Sequence, residues 1–65
     1  MMDLSRFHMM DSHILLSIVN EQLRIECENL EDLVGLFDIP RDGLEQKLSS
    51  IGYQYDFLSN QFKAK

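Results

Sequence analysis

The chain has 65 residues, a formal net charge of −5, 45% hydrophobic residues and a single cysteine. A chain this short makes one domain and buries only roughly 60% of its unfolded surface, and one cysteine leaves it no internal disulfide. Its acidity works against binding a phosphate backbone or an anionic membrane, and its longest apolar run, Ile14-Leu15-Leu16, is far short of the ~20 residues that span a bilayer.

Residues 1–10, MMDLSRFHMM, have no clear period and read as a flexible N-terminal extension. Phe7 is the side chain in it able to pack onto a core, and Met9-Met10 offers a second start. The domain proper is expected over residues 11–65. Its first helix begins at Asp11 or Ser12, either of which can cap the leading N–H groups, and runs to about Cys27. On a helical wheel its apolar arc covers roughly 200°, about twice the stripe that one core needs. Ile14, Ile18 and Ile25 form one side of the arc, Leu15 and Val19 its middle, Leu16 and Leu23 the other side. So broad an arc calls for a second neighbour, which a further copy of the chain would supply. Leu15, Leu16, Val19 and Leu23 are the expected contact residues.

Asn29 caps the second helix, with Asp32 three residues on in a variant of the capping box. Leu30, Leu33, Val34 and Phe37 keep helical spacing. Gly35 among them costs ~1 kcal/mol against Ala, and either admits the third helix closely or is simply tolerated. Asp38-Ile39-Pro40 is the turn, with Ile39 plugging the corner and Pro40 set at the start of the next helix. The third helix is expected from about Arg41 to Ile51, burying Leu44, Leu48 and Ile51. Gly52 stops it. Tyr53 and Tyr55 alternate with Gln54 and Asp56 as in a strand. Ser59-Asn60 turns the chain, and Gln61-Phe62-Lys63 returns as a second strand. A hairpin this short is unstable alone, so Tyr53, Tyr55, Phe57 and Phe62 are expected to pack on the helices or on a partner. The fold class is mainly α (α+β): a three-helix, helix-turn-helix-like core followed by a C-terminal β-hairpin, winged-helix-like in layout.

Two resemblances follow from these residues. Leu33-Val34, Ile39, Leu44 and Leu48 sit as in the helix-turn-helix of small bacterial regulators, except that Asp38 stands where that motif often has glycine; Asp tolerates the left-handed conformation better than most residues. Over nearly the whole chain, Ile14-Leu15-Leu16-Ser17, Val19-Asn20, Leu23-Arg24, Ile51-Gly52-Tyr53-Gln54-Tyr55-Asp56 and Asn60-Gln61-Phe62 resemble the uncharacterised bacterial family called domain of unknown function 4250. In that pattern a proline often follows the aspartate that opens the first helix; here Ser12 takes its place. The resemblance implies a short stand-alone protein and supplies no chemistry.

The candidate sites are sparse. Asp11-Ser12-His13 has the residue types of a hydrolytic triad, but consecutive residues do not converge on one helix face. His8, Asp11 and His13 lack the usual zinc spacings. Cys27 lies between Glu26 and Glu28, which disfavours a thiolate. Asn20 and Arg24, one turn apart, suit a polar contact across an interface or with the hairpin, or a wet helix face. Tyr53, Tyr55 and Phe62 have the chemistry to stack bases, but no basic groove surrounds them. No cofactor, metal or small-molecule substrate is indicated.

A DNA-reading helix needs cations and amides for base edges and phosphates. Here the supply is Arg41, Gln46 and Lys47, with Lys63 on the wing, offset by Asp42 and Glu45. Residues 1–38 hold eight acids against Arg6 and Arg24, whereas residues 39–65 are close to neutral. No basic stretch leads into an apolar core at the N-terminus, so it does not read as a signal peptide. With the lone cysteine, this points to the cytoplasm. The expected function is therefore a small cytoplasmic, non-enzymatic protein-interaction or self-associating module, dimeric through the first helix or the hairpin. A winged-helix DNA-binding regulator is the alternative.

Overall fold

The computed structural model describes residues 6–65. A 3-10 turn, Phe7–Met9, leads into α1 (Ser12–Ile25), α2 (Leu30–Phe37) and α3 (Arg41–Ser49), and then β1 (Tyr53–Asp56) and β2 (Gln61–Ala64). The strands form one antiparallel pair, Tyr53 opposite Ala64 and Tyr55 opposite Phe62. The architecture is thus three helices followed by a hairpin.

Local chemistry sets the helix boundaries. The Asp11 carboxylate accepts the N–H groups of His13 (2.8 Å) and Ile14 (3.2 Å), satisfying donors that the first turn leaves open. Asn29 Oδ1 accepts the Asp32 N–H at 2.8 Å, while the Asp32 carboxylate accepts the Glu28 N–H at 3.1 Å. That is the reciprocal logic of a capping box, reaching one residue further back. Asp38 ends α2 in the left-handed conformation (φ 55°). The turned chain then drives Ile39 into the core and lets α3 start behind Pro40. Gly52, at φ 85°, closes the exit from α3. Two helices are shorter than their periodicity suggests: α1 stops two residues before Cys27, and α3 two before Ile51, which is half-buried.

The core is Leu15, Val19, Leu23 and Cys27 from α1 and its exit, Leu30 and Leu33 from α2, Ile39, Leu44 and Leu48 around α3, and Phe62 from β2. Phe7 joins it at 7% exposure. Within the stretch 1–10 read as an extension, the turn Phe7–Met9 lays this ring against α3; residues 1–5 lie outside the described residues. A Cβ built on Gly43 would stand 3.2 Å from Phe7 Cζ and 3.3 Å from Pro40 Cγ. Gly43 is thus where a ring crosses a helix at backbone distance. Gly35, by contrast, has nothing within 4 Å of such a Cβ, so it does not admit α3 closely and is simply tolerated.

The hairpin is held by side chains acting as backbone. Asn20 on α1 donates through Nδ2 to the Phe62 carbonyl (3.1 Å) and accepts the Phe62 N–H through Oδ1 (2.7 Å). Its amide thereby takes the place of a third strand along the outer edge of β2. Gln61 Nε2 donates to the Asn20 carbonyl at 3.0 Å. Asn60, in the left-handed conformation, donates to the Leu23 and Cys27 carbonyls (2.9 and 3.1 Å) and so closes the C-terminal end of α1. Tyr55 Oη donates to Asn60 Oδ1 at 2.6 Å and accepts the Leu30 N–H at 3.2 Å, tying the same corner to the start of α2. The Tyr55 ring lies tilted 5.6 Å from that of Phe62. Phe57 does not pack as expected; it is 76% exposed in the loop 57–60, where the chain reverses before its ring can turn inward.

Replacing Asn20 by Ala leaves two part-buried backbone groups of Phe62 unpaired, and should cost about 2–3 kcal/mol in urea unfolding. Gly35→Ala should stabilise by roughly 0.5–1 kcal/mol. Gly43→Ala should gain less, because Phe7 and Pro40 must give way, and most of the missing gain should return in a Phe7→Ala background. A double-mutant cycle by thermal unfolding reads the difference.

Candidate functional site

Four side chains of α1 were the expected contact surface, and three of them are enclosed by their own domain. Leu15 and Val19 are fully buried and Leu23 nearly so, while Leu16 is half-buried against the core. The correction has a physical cause. Asn20 draws β2 across the Leu16–Leu23 side of the helix, so that side and the middle of the arc become core. What remains outside is the opposite side: Ile14 and Ile25, 58% and 63% exposed, with Ile18 half-buried between them. These three fall within about 40° of one another on a helical wheel. At the other end of the hairpin, Phe57 and Leu58 stand out of the loop, Leu58 at 83% exposure. The loop under them is braced: the Asp56 carboxylate accepts the Ser59 hydroxyl (2.8 Å) and the Leu58 N–H (3.4 Å). The hydroxyl bond chiefly, then the N–H bond and Lys63, hold the Asp56 carboxyl below its usual range.

Three of the expected DNA-reading residues, Arg41, Gln46 and Lys47, lie on α3 and the fourth, Lys63, on β2; carboxylates meet Arg41 and Lys63. Arg41 bonds Glu31 of α2 through Nη1 and Glu45 of its own helix through Nε (3.2 Å). These contacts, Glu31 first, raise its already high pKa. Lys63 lies 3.7 Å from Asp56. Lys47 is half-buried and adds to the field on Asp11, whose carboxyl is held low mainly by its bonds to the Ile14 and His13 N–H groups. Gln46 is exposed, beside Gly43, Lys47 and Ser50, at the edge of the Phe7 ring. Glu31 could not be foreseen as the partner of Arg41, since the two meet only once the Asp38 turn folds α2 against α3.

The remaining candidates resolve simply. Asp11, the would-be acid of a triad, spends its carboxylate on the helix cap, and His13 is exposed one step beyond. The His8 side chain lies outside what is described, and among the described residues no three His, Cys, Asp or Glu side chains gather as a metal site. Cys27 is buried; burial, then Asp32 and Glu26, push its thiol up, away from thiolate chemistry. Asn20 serves the hairpin, whereas Arg24, one turn on, is exposed. Of the three stacking candidates Phe62 is in the core, while Tyr53 and Tyr55 are half-buried, Tyr55 with its hydroxyl bonded to Asn60. No helix among the described residues is long and apolar enough to cross a membrane.

No curated protein matches the chain, and neither does any solved structure. A family model does match: the one described as Domain of unknown function (DUF4250), over residues 9–62. That span takes in α1, α2, α3, β1 and the first two residues of β2, and leaves Phe7 outside. The residues holding the hairpin to the helices (Asn20, Tyr55, Asn60, Gln61 and Phe62) all lie inside the matched span, and this chain of three helices and a hairpin belongs to the domain of unknown function 4250 family.

Proposed function

We propose that the protein is a non-enzymatic interaction module of the cytoplasm, which works by binding another protein chain. The observation that carries this is the exposed apolar side of α1, where Ile14 and Ile25 stand out of the core in line with Ile18, which is half-buried against it. Holding such a stripe in water has a cost that burial against a partner removes, at about 25 cal/mol per Å² of apolar surface. The braced pair Phe57 and Leu58 adds apolar surface of the same kind.

The winged-helix reading draws on the order α2, turn, α3, hairpin. Against it stand the pairing of Arg41 with Glu31 and Glu45 and of Lys63 with Asp56. A phosphate would have to displace carboxylates from both, in a chain of net charge −5. A photo-crosslinking side chain placed at Ile25, and in a separate variant at Gln46, separates the two readings in living cells. Protein adducts at position 25 with none to nucleic acid at position 46 are expected. Nucleic-acid adducts at 46 and nothing at 25 would reverse the assignment.

A further inference from the structure

The alternation of an antiparallel ladder puts β1 in an unusual position. The Lys65 N–H donates to the Gly52 carbonyl at 2.8 Å, so Gly52 and Lys65 are a hydrogen-bonded pair. By the two-residue alternation, Gln54 with Lys63 and Asp56 with Gln61 are hydrogen-bonded pairs too, and Tyr53–Ala64 and Tyr55–Phe62 are not. The Asn20 clamp is independent proof of the phase, since both backbone groups of Phe62 point away from β1 to meet it. It follows that the N–H and C=O groups of Tyr53 and Tyr55 also point outward, from the other edge. On β2 the outward groups of Phe62 are taken by Asn20. On β1 the four outward groups have no bonding partner among the described residues. Unbonded backbone groups persist where water reaches them. A cleft opens beside them, lined by Glu45 and Ser49 of α3, by Tyr53, Gln54 and Tyr55, and by Lys65, whose Nζ donates to the Ser49 hydroxyl.

We propose that this edge of β1 pairs with β1 of a second copy, antiparallel about a two-fold axis at Gln54, to make a continuous four-stranded sheet. This inference rests on the reading of the protein as an interaction module and names one of its partners. The placement of the four groups selects the register. With Gln54 on the axis, Tyr53 of one copy meets Tyr55 of the other in a hydrogen-bonded pair, twice over, and all four groups on each edge are used. Side chains agree with that register. Gln54 faces its own copy, amide to amide, each able to donate and accept. Tyr53 faces Tyr55, an aromatic cross-strand pair. Asp56, the one charged residue of β1, faces Gly52, so no like charges meet. The strand β1 itself carries no lysine or proline of the kind with which exposed strands are commonly blunted. A two-fold contact must be self-complementary, and this one is.

Gln54 is exposed and its backbone bonds stay within the hairpin, so substitutions of its side chain leave the fold in place. On the full chain, Gln54→Cys in a Cys27→Ala background should cross-link to a covalent dimer under mild oxidation. The two Cα atoms would stand about 4.5 Å apart in a non-hydrogen-bonded pair, within the roughly 4.4–6.8 Å that a disulfide spans. Gln54→Lys sets like charges on the axis and should weaken dimerisation in sedimentation equilibrium by at least about tenfold. Hydrogen exchange on the unaltered chain supplies an internal control. The Tyr53 and Tyr55 amides should become protected only as concentration rises, whereas the Gln54 amide is protected throughout. A dimer indifferent to Gln54→Lys, or Tyr53 and Tyr55 amides that stay open in the dimer, would overturn the β1 pairing. A chain that remains monomeric at every concentration would overturn it too. In none of these cases is the interaction-module reading decided, because that reading stands or falls on adducts at position 25. Protection of Tyr53 and Tyr55 by an added extended peptide, without any dimer, would also overturn it, by assigning the edge a different occupant.

Discussion

The fold depends on the joint between α1 and the hairpin. Two four-residue strands do not hold together in water, and a 65-residue chain has little core to spare for fixing them. The joint solves both problems with amide side chains. Asn20 completes the outer edge of β2, Gln61 returns a bond to α1, and Asn60 closes the carbonyl end of the same helix. Each bond meets a backbone group that would otherwise be left open in a part-buried place. Such groups are worth more in the breach than in the making. Once β2 is fixed, Phe62 must enter the core, Tyr55 must reach the start of α2, and the choice of which side of α1 faces inward is made.

The joint also explains what the family resemblance is made of. Asn20, Tyr55, Asn60, Gln61 and Phe62 were among the residues that carried it, and each has a structural duty in the joint. A family pattern built from such residues describes how the chain folds. It says nothing of the apolar groups left outside the core, Ile14, Ile25, Phe57 and Leu58.

What could be read in advance was whatever depends on neighbours in sequence. The caps at Asp11 and Asn29, the left-handed Asp38, the Ile39 plug and the Gly52 stop are all local chemistry, and all are present. The width of the apolar arc on α1 was legible for the same reason. Which flank of the arc lies inside was not, since that is decided by Asn20 meeting Phe62 across 42 positions. Likewise the pairing of Arg41 with Glu31 needs two helices already folded together. Phe7 was visible as a ring able to pack, but its seat over Gly43 requires a backbone approach that no periodicity encodes.

The order in which the joint is assembled has a bearing on synthesis. A growing chain emerges N-terminus first, so α1, α2 and α3 are all made before Asn60 and Phe62 exist. Until then the carbonyls of Leu23 and Cys27 lack their donor, and the core lacks the ring that fills it from β2. The nascent helices cannot settle as a finished unit in the order they are produced. The contact between Asn20 and Phe62 closes a loop of some forty residues and carries the entropy of joining distant segments. A chain cut short between Ser49 and Asn60 has every helix sequence present and lacks the side chains that tie α1 to the hairpin, which leaves it a readier substrate for a protease.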